Sequence, residues 1–171
     1  YDDADGGHLR VEMRALPAGP TPIDMVANAA FLIGLAEGLR PQINTLLTAL
    51  PFSMAEYNFY RAAQHGMNAE LVWPDTGQTG YSGRPVVDII RSLLPCAREG
   101  LDAIGIDRSE SARYLAVIEQ RLEAGRNGSI WQQQMLDALD ANMPREEALH
   151  ELLERFIANS TANLPVAEWS L

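Results

Sequence analysis

The chain has 171 residues, 47 % of them hydrophobic and 21 % charged, enough for one globular domain with a true core. Its 23 acidic against 13 basic residues give a formal charge of −10. That excludes an extended surface for nucleic acid or anionic lipid and leaves room only for a local basic pocket. Cys96 is the sole cysteine, which excludes an internal disulfide and a cysteine-based metal cluster, and His8, His65 and His150 lack metal-ligand spacing.

Leu9 to Ala15 reads as a strand by strict alternation of apolar and charged residues. "LPAGPTP" breaks it as a loop, and Thr21 is placed to cap a helix with Pro22 at its first position and Asp24 in its first turn. That helix is expected to run to about Arg40. Its apolar residues cover most of its circumference, which predicts a buried helix. Pro41 interrupts it, and Ile43 to Leu50 continues as a second helical piece. No signal peptide is visible. The most apolar run, Met25 to Ala36, falls short of the about 20 residues that cross a bilayer, so a cytoplasmic protein is expected.

Ser53 and Glu56 have capping-box spacing, with Phe52 and Tyr57 as a hydrophobic staple, and Gly66 ends the helix they open. Ala69 to Trp73 reads as a short strand before a polar turn. Pro85 opens the next helix, with Pro95 expected to kink it and Gly105 to end it. Asp107 and Glu110 resemble a cap pair for a helix that stops at Gly125, and Ser129 with Gln132 resembles a further capping box. Pro144 opens the last helix, with Leu149, Leu152, Leu153, Phe156 and Ile157 as its expected core face. In the irregular tail, Trp169 and Leu171 are the residues able to dock. The expected fold is mostly α: about six helices in an irregular bundle with one or two short strands.

Side chains alternate faces along a strand, so Arg10, Glu12 and Arg14 share one side and Leu9, Val11 and Met13 the other. The ordinary alternative is a solvated charged face laced with salt bridges. The chemical one is a cleft wall, where a carboxylate holds a hard divalent cation and arginines clamp phosphate with paired donors. On a helix further on, Asn58, Arg61 and His65 share a face. There the alternatives are a place near a substrate cleft or packing and capping.

The segment "LRVEMRALPAGPTPIDMVANAAFLIGLAEGL" resembles the late strand and helix of the glutamine synthetase superfamily, where R-[IL]-E-x-R precedes a short loop and an alanine-rich helix. With N-x-x-R-A-A-x-x-G at Asn58 to Gly66 and G-x-x-G-S-x-x-Q at Gly125 to Gln132, it is most similar to the carboxylate–amine ligase branch, the type 2 glutamate–cysteine ligase-like proteins. The resemblance implies an ATP-dependent reaction in which a glutamate carboxylate is activated as an acyl phosphate and attacked by an amine. It implies Glu12 as a magnesium ligand, Arg14 as the contact to the transferred phosphate and Arg10 as a further catalytic arginine. Arg61, inside the second motif, joins Arg14 as a candidate cofactor-binding residue.

A magnesium site of this kind needs several carboxylates, and one strand bears only one. The chain, opening on Tyr1, is therefore expected to be the C-terminal fragment of a larger ligase, inactive without its N-terminal catalytic lobe. In that reading residues 1–21 are a catalytic-sheet strand and loop, 22–160 a helical region and 161–171 an irregular tail. The alternative is a non-catalytic helical interaction module that forms a homodimer through its unpaired strand.

Overall fold

The computed structural model describes residues 6–7, 12–13, 19–74 and 81–171. The protein is mostly α. Among the described residues, seven helices span α1 Pro22–Leu39, α2 Ile43–Ala49, α3 Phe52–His65, α4 Val86–Ala103, α5 Arg108–Ala124, α6 Gly128–Asp140 and α7 Arg145–Thr161. Among them too, strands β1 Glu70–Pro74 and β2 Tyr81–Pro85 pair antiparallel with Val72 opposite Gly83. The reading of Leu9 to Ala15 as a strand falls largely outside the described residues, of which Glu12 and Met13 lie in neither helix nor strand.

Helices α1, α4 and α5 enclose the larger core, around Ala27, Leu94, Ala97, Leu101, Leu115 and Leu122. The contact between α1 and α4 is made of small residues. A Cβ on Gly100 would stand 2.0 Å from the Gly34 carbonyl oxygen, and one on Gly38 would stand 2.3 Å from that of Cys96. Backbone thus meets backbone, a separation that only glycine permits. Pro95 lies inside α4 and withdraws one N–H without ending the helix. Gly105 and Gly125, both at positive φ, close α4 and α5 as the sequence suggests.

A second, aromatic core joins α6, α7 and the tail. Trp131 and Trp169 meet edge to face at 4.7 Å between ring centres, with Phe156 at 5.3 Å from Trp169. The Trp131 indole donates to the Ser170 carbonyl, and that of Trp169 to Leu164. Trp169 therefore docks the tail through a 3₁₀ turn at Val166–Glu168, while Leu171 stays exposed.

Several expectations need correction. Helix α1 is not buried all round: α4 and α5 cover the side that carries Ile23, Ala27, Phe31 and Leu35, and Met25, Val26 and Ile33 are exposed. The 3₁₀ turn Arg40–Gln42 also carries the helical path past Pro41. The apolar stretch Pro22–Ala49 then reaches 28 residues, with a mean hydropathy of 1.3 over its most apolar 18-residue window, long and apolar enough to cross a membrane by length and composition, as a core helix also can be. Ser53 caps nothing. Pro51 stands at the N-cap of α3, two residues too early for the box, and Phe52 is 80 % exposed rather than stapled. At α6 the cap is Asn127, whose Oδ1 accepts from Ile130 N at 2.9 Å. Of the expected core face of α7, Leu152 and Phe156 pack inward while Leu149, Leu153 and Ile157 face out.

At α5 the Asp107 carboxylate accepts from both the backbone N and the hydroxyl of Ser109. These hydrogen bonds, led by the Ser109 hydroxyl, hold its pKa below the usual 3.8. A depressed carboxylate stabilises the fold above the unfolded value, and the contribution disappears as pH falls through the folded one. Asp107→Asn, which keeps a capping oxygen, is expected to leave Tm at neutral pH nearly unchanged and to flatten its fall toward about pH 3. Thermal melts across pH check this. Gly100→Ala is expected to cost about 1–3 kcal/mol or more by forcing α1 off α4, measured by denaturant unfolding.

Candidate functional site

The first turn of α1 is unusually well tied. Thr21 Oγ1 accepts from Asp24 N at 3.1 Å and donates to Asp24 Oδ2 at 2.6 Å. The Ile23 N–H, a second orphan donor of the turn, is met by Asn163 Oδ1 at 2.9 Å, from the residue at positive φ just beyond α7. Asp24 itself is fully buried. Its Oδ2 also accepts from Val166 N at 3.1 Å, and its Oδ1 accepts from Arg121 Nε at 3.0 Å, with Nη2 equally close. Every lone pair that faces the protein is used, which is the condition for keeping a carboxylate charged in a core.

Arg121 on α5 completes the knot. Its side chain is 14 % exposed. Nη2 also donates to the Asp24 carbonyl at 2.9 Å, and Nη1 donates to Asn28 Oδ1 at 2.6 Å. Burial pulls the guanidinium pKa below its ordinary value, and Asp24 opposes that shift. Beyond Arg121 and Asn28 opens a cavity of about 650 Å³, walled by Gly19 and Pro20, by the first turns of α6 from Asn127 to Gln133, and by Phe156 and Val166. Gly19 crosses the start of α1 so closely that a Cβ would stand 2.9 Å from that of Asp24. The cavity volume suits a small metabolite.

The sequence-derived candidates fall in different places. Arg10 and Arg14 lie outside the described residues. Glu12 is exposed. Arg61 is on α3, half-buried, with Nη1 at 2.7 Å from His65 Nε2, and it does not line the cavity. Asn58, in the same motif, takes the packing role. Its amide bonds both the N and the O of Val72 at 2.8 and 2.7 Å, pinning α3 to β1. Gly128, Ser129 and Gln132 of the third motif do line the cavity, together with the end of the loop that follows the R-x-E-x-R segment.

Arg121 and Asn28 are absent from the sequence-derived set. A signal existed: between Pro22 and Ala36 the only polar side chains are Asp24 and Asn28, one helical turn apart on one face. Polar groups placed so in an apolar helix require a partner, although the sequence does not name Arg121 as that partner.

No family model matches the chain. It is similar to a curated protein of Trichormus variabilis (strain ATCC 29413 / PCC 7937) named "Putative glutamate--cysteine ligase 2", with 28 % identity over 120 residues. The match covers 67 % of this chain and 29 % of that relative, so the chain spans less than a third of the relative's length. No solved structure matches it.

Removing one partner of the buried pair leaves the other unpaired. Arg121→Met and Asp24→Leu are each expected to cost about 3–5 kcal/mol, and the double variant to recover a large part of that loss. Urea unfolding of the three variants measures it.

Proposed function

We propose that this chain is the C-terminal part of an ATP-dependent carboxylate–amine ligase that forms a γ-glutamyl amide. One observation carries the reading: two of the three family-like segments meet at one cavity. Gly19 and Pro20, which end the stretch opened by Arg10, Glu12 and Arg14, face Gly128, Ser129 and Gln132 across it. Motifs far apart in sequence that share a cavity are what a composite substrate site requires. The likeness to the Trichormus protein supports the same class.

In this reading Arg10 and Arg14 offset the charge that builds on phosphoryl oxygens as the carboxylate is activated, with guanidinium forks matched to oxyanions. Arg61 stands on a separate helix as a further cation for the nucleotide. Among the described residues no three His, Cys, Asp or Glu side chains gather into a metal site. These residues therefore do not hold magnesium by themselves, and Glu12 is proposed only as one oxygen ligand of a set completed elsewhere in the ligase. The exposed apolar residues of α1, α3 and α7 give the remainder of such a protein a surface to pack on.

The test is ADP release by the full-length protein supplied with ATP, magnesium, glutamate and a panel of amines. Glu12→Ala and Arg14→Ala are each expected to lower turnover by about 100-fold or more, with unchanged melting temperature. Turnover equal to that of the unaltered protein in both variants refutes the assignment.

A further inference from the structure

The β1–β2 sheet has two outer edges, and they differ. The Asn58 amide on α3 donates to the Val72 carbonyl at 2.7 Å and accepts from the Val72 N–H at 2.8 Å, as a neighbouring strand would. The β1 edge is therefore occupied at its centre. The same bonds fix the phase of the ladder. In an antiparallel pair, successive residues turn their N–H and C=O alternately toward the partner strand and away from it. Val72 turns outward to Asn58, and three residues earlier the Ala69 carbonyl turns inward to Val86 N at 2.8 Å, so the two observations agree. In β2 the outward positions are then Tyr81, Gly83 and Pro85, opposite Pro74, Val72 and Glu70. Ser82 and Arg84 turn their backbone inward to Trp73 and Leu71. Gly83 is exposed, and among the described residues its backbone has no outward hydrogen bond.

We propose that the outer edge of β2 is an interface at which a second copy of the chain adds its own β2, antiparallel about a two-fold axis, to give a four-stranded sheet in the order β1–β2–β2–β1. The edge is complementary to itself. With Gly83 at the axis, both strands overlap along their whole length. Each Gly83 N–H then donates to the other copy's Gly83 carbonyl, and each Tyr81 N–H to the other's Pro85 carbonyl. Pro85 sits where its missing N–H costs the hairpin nothing. Charge complementarity points the same way. A chain of charge −10 repels its own copy over most of its surface, whereas β2 carries no Asp or Glu. A two-fold axis sets the central residue against itself, and glycine brings no side chain to clash or repel there. Arg84 falls opposite Ser82 of the other copy rather than opposite a second arginine. Pro85 withholds one donor from each end of the ladder, so the contact is short and the dimer is a weak, reversible one. The inference does not depend on the ligase reading.

Sedimentation velocity of the 171-residue chain between about 1 μM and 1 mM is expected to show a monomer passing reversibly to a dimer. Amide hydrogen exchange over the same range is expected to slow several-fold at Tyr81 and Gly83, whose N–H groups face outward. It is expected to stay constant at Ser82 and Arg84, whose N–H groups face β1. Gly83→Pro removes the outward donor and no bond of the hairpin, and is expected to weaken association at least about tenfold. Gly83→Lys keeps the donor and sets two cations face to face across the axis. A Cβ at this position meets only Glu70, with Oε2 at 3.6 Å, so the hairpin accommodates it and the melting temperature is expected to hold. This variant is expected to weaken association by at least about tenfold at low salt and by less at high salt. The inference is overturned by a monomer across the whole range, by a dimer whose Gly83 amide exchanges as fast as in the monomer, or by a dimer that either variant leaves at full strength.

Discussion

The buried Asp24–Arg121 pair is the constraint on which the arrangement depends. One carboxylate receives a hydroxyl from its own helix turn, a guanidinium from α5 and a backbone N–H from the tail turn. Two segments distant in sequence are thereby fixed to the first turn of α1. Such a pair adds little net stability over a well-packed apolar substitute, because desolvation consumes most of the Coulombic gain. What it supplies is position. Arg121 is held by its back, so its guanidinium and the Asn28 amide it binds border the cavity in a fixed arrangement. A rigid donor costs less to use than one that must first be ordered.

The rest of the fold is built to keep that knot in register. Glycine-to-backbone contact between α1 and α4 leaves almost no freedom for the two helices to slide or separate. Beside that seam Ile23, Phe31 and Leu35 of α1 pack against the core, while Met25, Val26 and Ile33 remain uncovered.

Periodicity and punctuation made most of the fold legible. Thr21, Gly66, Asp107, Gly125 and Pro144 mark helix ends where the sequence places them, since caps act locally. Burial was less legible. The apolar stripe of α7 and the all-apolar α1 predict cores, but which side is covered depends on neighbours that periodicity does not identify. The capping boxes read at Ser53 and Ser129 failed because Pro51 and Asn127 set the helix starts earlier. The site was half legible. Gly128, Ser129 and Gln132 stood out as a motif and line the cavity, whereas Arg121 was not singled out. Its role depends on a contact to Asp24 across nearly a hundred positions of chain, and no local pattern encodes such a pairing.

The aromatic cluster at the far wall gives the protein an optical property. Phe156 borders the cavity on one side and meets the rings of Trp131 and Trp169 on the other. Two of the three indoles in the chain are therefore only one ring away from whatever enters. Both sit in a dry, edge-to-face arrangement whose emission responds to small changes in local field and collision. The molecule carries an intrinsic fluorophore pair behind the cavity wall, so entry of a small molecule there can be followed by its ultraviolet emission without attaching a dye.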